Sequence, residues 1–364
     1  MVWKKFRQKT CWIDSFYLYL SQKNDFILLF GMNKHRKKNL ALCSFLCLMT
    51  LQTWAQNTND SAIKNPVWGP DWPDPTVWIG DDGQYYSVAT GLNRVIKSND
   101  LFHWEATETR PLSREQRQQI RQYGRNLWAP DVAVVNGQRL LYVTIYNSAE
   151  DCNIGVLKET EPGQFELHGL ITCGKETGIE DTIDPEVVKD PKTGIVWLYF
   201  GSVGGIHRIR LTEDGLSLAP DAGYEYVAGL TIHQNPSRSN VYEGSYLYYH
   251  DGYWYLFVSG GNYGDHTYQL RVGRSATLDG IFLDKEGRKM MDGYASTILS
   301  SEKEDYFYGP GHCGEIYEKG GKTYMFYHCH NKGTENPRQR PMMLQEIKWD
   351  KNGWPYFKGD KPIP

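Results

Sequence analysis

Five stretches of this chain repeat one pattern. A polar residue with acid, base or ligand chemistry leads, and a strand, a Gly-containing turn and a second strand rich in Tyr, Trp and Val follow. The lead residues are Asp74, Asp131, Asp184, Glu243 and His312, separated by steps of 57, 53, 59 and 69 residues. A hairpin of this kind cannot bury both of its faces alone, so its copies must pack on one another. Repeats of this length with several strands per unit are the signature of a β-propeller. Each hairpin is followed by an alternating strand, a polar turn and a short final strand, at 93–107, 154–169, 206–218, 268–284 and 342–357. The expected fold is therefore all-β, a five-bladed β-propeller, with blades near 70–112, 126–170, 180–228, 238–287 and 305–357. A double sandwich would not explain a period of about 57 residues. The innermost strands of a propeller face a common axis, so the five lead residues should meet at one end of a central channel.

The composition agrees: 25 Tyr and 12 Trp suit half-buried strands, and 36 Gly suit many turns. Long amphipathic helical patterns are nearly absent; the best candidate, 113–123, reads as a short surface helix or a loop. The first 55 residues differ from the rest. A basic run begins at Met32, an apolar run begins at Leu40, and Thr53 and Ala55 supply the small residues of a cleavage site. This reads as a secretory signal peptide at 32–55, preceded by an upstream extension (1–31) and followed by a polar, flexible lead-in (56–66). The apolar run is short for a membrane span, and neither Cys43 nor Cys47 has the preceding small residue that a lipid anchor needs. Residues 67–364 show no linker or composition break and read as one catalytic domain. The exported part carries 31 basic and 41 acidic residues, a net charge of −10, which argues against a nucleic-acid partner. An exported location, periplasmic or extracellular, makes disulfides possible among Cys152, Cys173, Cys313 and Cys329. Cys152 with Cys173 and Cys313 with Cys329 are the candidate pairs, and two buried thiols with one bridge is the plainer reading. No zinc spacing is present.

The chemistry sits in the lead residues. Asp74 and Asp184 each precede a proline, which disfavours helical backbone and predicts extended acids at strand starts. Asp-Pro is a common turn dipeptide, but two copies at equivalent repeat points argue for a shared inward aim. Glu243 lies between Tyr242 and Gly244 among further aromatics, a setting that desolvates a carboxyl group and favours the protonated form a general acid needs. Carboxylates facing one another in an aromatic-rich mouth suit glycosidic bond hydrolysis, in which one acid protonates the leaving oxygen and another activates water. Trp72, Trp128, Tyr242, Tyr246 and Tyr263 are candidate sugar platforms, although an aromatic in such a position is more often core than platform. Asp131, after Trp128-Ala129-Pro130, reads as a structural strand-start residue.

Taken together, residues 73–76, 128–131, 183–185, 243–246 and 309–312 resemble glycoside hydrolase family 43, and the stretch 272–287 resembles its arabinanase branch. The resemblance runs over about 67–357. It implies a five-bladed propeller and an inverting mechanism acting on α-1,5-linked arabinan or arabino-oligosaccharides. By the same resemblance Asp74 is the general base, Glu243 the general acid, and Asp184 the residue that tunes and orients Glu243. It further implies a calcium or sodium ion in the central channel, held by His312 and waters. Substrate contacts are implied at Trp128, Gly137, Asp181, Thr182, Ile183, Ser202, Val203 and Gly204. Two features depart from the arabinanase pattern: Asp181 stands where Asn is usual, and the turn after Phe200 lacks its usual aromatic. The alternatives are a β-xylosidase or α-arabinofuranosidase of the same family, and a non-catalytic carbohydrate-binding propeller. The last predicts loss of at least one of Asp74, Asp184 and Glu243, and all three are present.

Overall fold

A computed structural model describes residues 63–336 and 338–364, together with the backbone of three short strands nearer the N-terminus. Those strands, Lys4–Phe6, Phe16–Leu20 and Phe26–Phe30, pair antiparallel into a small sheet within a separate unit, Met1–Ser61. The signal peptide and cleavage site expected at 32–55 lie outside the described residues.

The second unit, Ala62–Pro364, contains five antiparallel sheets, each built from strands consecutive in sequence. The inner strands are Thr76–Ile79, Asn126–Val135, Glu186–Lys189 and Tyr242–His250. In the fifth sheet Phe307–Gly311 and Ile316–Lys319 both pair with Lys322–Asn331. This is the five-bladed propeller expected from the repeat. Its hydrophobic core is divided into five clusters, one at each junction between neighbouring blades. Trp78 and Val88 of the first blade, for example, pack with Leu141, Val143 and Phe165 of the second. The broad aromatic content follows from this geometry, because radiating blades leave wedge-shaped gaps that large side chains fill.

Three boundaries differ from the expectation. The fourth blade ends in Ser296–Leu299, beyond the expected limit, because 281–284 makes only isolated bridges to Arg274 and Lys289. The helix expected within 113–123 is Arg114–Ile120, capped by Ser113, whose side chain accepts from the Gln116 N–H at 3.1 Å. Residues 63–66 belong to the ring rather than to a flexible lead-in. Buried Asn65 donates to the Leu344 carbonyl and accepts from the Leu344 N–H, both at 2.9 Å. Trp68 pairs with Met342, so the start of the unit is fastened to its last blade.

The inner strands are also joined around the axis. The Val132 N–H donates to Thr76 Oγ1 (3.1 Å), Val187 to Asp131 Oδ2 (2.8 Å) and Leu247 to Glu186 Oε1 (3.3 Å). Ile316 donates to the Tyr246 hydroxyl (3.1 Å) and Val77 to Glu315 Oε2 (2.5 Å). Each bond runs from the residue after one acceptor back to the acceptor of the preceding blade, so the five form a closed ring. Thr76, Asp131, Glu186, Tyr246 and Glu315 are therefore the structurally equivalent set. Asp131 sits two residues out of the register the sequence suggested, and the equivalent of Asp74 and Asp184 in the second blade is Ala129.

All four cysteines of the propeller, Cys152, Cys173, Cys313 and Cys329, are free thiols, and no bridge joins either candidate pair. Burial pushes the Cys152 thiol up to about 12; its sulfur accepts the Thr182 N–H at 3.0 Å. No helix among the described residues is long and apolar enough to cross a membrane.

Candidate active site

The inner-strand starts of the first, third, fourth and fifth blades bring Asp74, Asp184, Glu243 and His312 together. Asp74 and Asp184 are not extended as expected. Their φ angles are +54° and +58°, and the equivalent Ala129 and Gly244 stand at +41° and +59°. Left-handed backbone is unfavourable for a residue with a Cβ and persists where surrounding contacts over-determine it. Those contacts are visible. The Asp74 N–H donates to His328 Nδ1 at 3.0 Å, and the Asp184 N–H donates to the buried Thr144 hydroxyl at 2.9 Å. The turn aims each carboxyl group toward the axis just before the strand begins.

Asp74 is held on both oxygens. Thr90 donates its hydroxyl to Oδ2 at 2.6 Å, and the Arg340 guanidinium lies 3.4 Å from Oδ1. Burial, then the Arg340 charge, holds His328 well below the usual imidazole range, so it is neutral. Its Nδ1 accepts the Asp74 N–H, and Arg340 Nη1 lies 3.3 Å from its Nε2. Asp184 is buried, and its Oδ2 accepts the Gly244 N–H at 3.2 Å. Burial first, then the charges of Glu243 and Asp74, raises its pKa well above the ordinary carboxylate value. Glu243 receives two hydroxyl donors, Ser202 on Oε2 at 2.7 Å and Tyr268 on Oε1 at 2.8 Å. Its immediate partners are therefore polar groups, not the apolar ring faces expected from its sequence neighbours.

His312 Nδ1 lies 3.6 Å from Asp74 Oδ1 and 3.8 Å from Asp184 Oδ2. Burial lowers its pKa against the pull of Asp74 and Glu243, which leaves a neutral imidazole with a lone pair. Neither ring nitrogen makes a hydrogen bond among the described residues. Gly244 packs directly on this ring: a Cβ there would stand 2.8 Å from His312 Nδ1. No group of three or more His, Cys, Asp or Glu among the described residues forms a metal cage. A hard cation would accordingly take one nitrogen from the chain and the rest of its shell from water, which the free imidazole between two carboxylates fits.

The remaining sequence-derived positions divide. Trp128 is half-buried and stacks on Tyr146 with ring centroids 4.0 Å apart. Asp181, at φ +52°, has a buried Oδ1 with no partner, and burial followed by the Glu243 charge raises its carboxyl to about 6. Ser202 bonds to Glu243 and so positions the acid. Gly137 does not join the site, because it forms the hairpin turn at the far end of Asn126–Val135. Thr182 is fully buried, with its hydroxyl on the Ile179 carbonyl, and Ile183 and Val203 are buried too. Gly204 packs against the Glu180 carbonyl. Of the aromatic platforms, Trp72 and Tyr242 are core residues, and Tyr246 belongs to the axial ring. Exposed Tyr263, with Arg340 5.5 Å over its ring, remains available with Trp128. Sequence reasoning missed Thr90, Tyr268, His328 and Arg340. None of them leads a repeat, and only the folded ring brings them to the acids.

The family model for glycosyl hydrolases family 43 matches residues 63–355. An extracellular endo-alpha-(1->5)-L-arabinanase of Bacillus subtilis is 31% identical over 298 residues, covering 78% of this chain and 87% of that protein. An extracellular exo-alpha-(1->5)-L-arabinofuranosidase of Cellvibrio japonicus is 29% identical, covering 76% of this chain and 83% of that protein. Among solved structures, an alpha-L-arabinanase of Cellvibrio cellulosa complexed with arabinohexaose superposes with a TM-score of 0.68 at 25% identity. That match covers 79% of this chain and 95% of the other.

Proposed function

The chain belongs to glycosyl hydrolase family 43, and on that premise we propose that it hydrolyses α-1,5-linked arabinan or arabino-oligosaccharides with inversion. The observation that carries the reading is the meeting of Asp74, Asp184 and Glu243 at one end of the channel, in a chain similar to both endo- and exo-acting arabinan hydrolases.

Asp74 takes a proton from water as that water attacks the anomeric carbon. Thr90 and Arg340 fix its carboxylate in place. Glu243 gives a proton to the departing glycosidic oxygen, and the Ser202 and Tyr268 hydroxyls orient it toward that oxygen. Asp184, buried and tied to the Gly244 N–H beside Glu243, is the residue that modulates and orients that acid. His312 is the residue that would hold a calcium or sodium ion, which would supply positive charge beside the Asp74 and Asp184 carboxyl groups. Trp128 and Tyr263 offer ring faces for stacking on furanose units. The relatives named extracellular, together with the leader pattern at 32–55, support export of the chain.

Product analysis on debranched linear arabinan, branched arabinan and xylan tests the substrate class. Arabinose or short arabino-oligosaccharides should be released from linear arabinan, with xylan left intact. Release of xylose products with arabinan untouched would overturn the reading.

A further inference from the structure

The exported part of the chain is acidic, yet one stretch reverses the sign. Residues 110–125 carry Arg110, Arg114, Arg117, Arg121 and Arg125 against a single acidic residue, Glu115. Arg117 is pinned, donating to the Gly91 carbonyl at 3.2 Å and to the Leu92 carbonyl. Burial, then the charges of Arg110 and Arg121, lowers its pKa, so like charges press on one another here. Arg121 and Arg125 are exposed, and their guanidinium groups make no ion pair or hydrogen bond among the described residues. With Arg117 they line an open cavity of about 190 Å³ that also includes Thr90 and Trp128.

Two of those lining residues tie the cavity to the catalytic cleft. Thr90 donates to Asp74. Trp128 stacks on Tyr146, whose hydroxyl is raised by burial and then by the charge of Asp181. The cavity is therefore a side chamber of the cleft, with an aromatic wall and unpaired cations.

We propose that this cavity is a subsite for the carboxylate of a uronic acid residue borne by the polysaccharide that carries the arabinan. A guanidinium fork matches a carboxylate with two parallel hydrogen bonds, which makes arginine the suited cation for such a group. The indole face of Trp128 supplies the apolar surface on which a sugar ring stacks. Residues 56–364, with a net charge of −10, repel an acidic polymer at long range, so a local cluster of unpaired arginines beside the cleft reverses that repulsion where the chain must dock. The choice of polysaccharide rests on the arabinan reading; recognition of the uronate does not.

Titration calorimetry at low ionic strength with digalacturonate and with its neutral methyl ester tests the site directly. The acid should bind about tenfold more tightly than the ester, and the Arg121→Gln, Arg125→Gln double variant should lose that preference. In parallel, the ratio of kcat/KM on arabinan still attached to galacturonate-containing pectin to that on debranched arabinan should fall about tenfold in the double variant. Unchanged thermal unfolding would show that these exposed substitutions leave the fold intact. Equal binding of acid and ester, full binding by the double variant, or equal competition by a DNA oligonucleotide would overturn the proposal. Digalacturonate binding as stated without cleavage of either arabinan would support the subsite and remove the arabinan reading instead.

Discussion

The Asp131→Asn substitution tests the closed ring of inner strands. Asp131 is buried on the axis and accepts the Val187 N–H, and burial pushes its carboxyl from the ordinary 3.8 up to about 7. Glu186, which belongs to the same ring, is raised by burial and then by the Asp131 charge. The folded chain thus keeps a proton that the unfolded chain releases near pH 4. Stability is full below that pH, falls as the pH rises toward 7, and levels off above it. At 1.36 kcal/mol per pH unit the displacement from 3.8 to about 7 amounts to about 4 kcal/mol. That is a ceiling, because Asp131 and Glu186 compete for protons. Asparagine keeps an acceptor oxygen for Val187 and cannot ionise. Urea and thermal unfolding followed by circular dichroism should find the variant and the wild type within about 1 kcal/mol of each other at pH 4. At pH 8 the variant should be the more stable by up to about 4 kcal/mol, at roughly 2–4 °C of melting temperature per kcal/mol. A difference that does not vary with pH, or a variant less stable than the wild type at pH 8, would refute the argument.

Arg340→Met removes the cation beside Asp74 and should lower kcat on arabinan by about ten- to hundredfold, or about 1.4–2.7 kcal/mol of transition-state stabilisation; steady-state kinetics checks it. Gly244→Ala places a Cβ 2.8 Å from His312 Nδ1 on backbone at φ +59°. It should destabilise the fold by about 1–2 kcal/mol and depress activity by displacing the imidazole; thermal unfolding read beside kcat separates the two effects.

The architecture was legible in the sequence because a hairpin repeated five times leaves an unmistakable period, even though no two copies share many residues. Register was harder to read. Asp131 follows Pro130 much as Asp74 follows Pro73, so the two align by eye, yet the ring of hydrogen bonds pairs Asp131 with Thr76. The ring residues Thr76, Asp131, Glu186, Tyr246 and Glu315 each offer an acceptor oxygen but span four side-chain types, and only the folded structure reveals their equivalence. The rule that proline extends its predecessor failed at Asp74 and Asp184, because tertiary hydrogen bonds to His328 and Thr144 override that local preference. The acids themselves stood out, since Asp-Pro and Glu-Gly at strand starts are distinctive. Their partners did not. Thr90, Tyr268, His328 and Arg340 lie within or beyond ordinary strands, and their roles come from sequence separations of 16 to 266 residues. Gly137 misled because a glycine in a hairpin turn carries no sign of which end of the blade it occupies.

The assignment of Glu243 as the general acid is the central claim, and paired kinetics on two substrates tests it most directly. A substrate with an activated aryl leaving group departs without protonation, whereas an arabinan linkage does not. Glu243→Ala should therefore reduce turnover of arabinan by about 10²–10⁴-fold while turnover of the aryl arabinofuranoside stays within about tenfold of the wild type. Equal losses on both substrates, or retained cleavage of arabinan, would contradict the account.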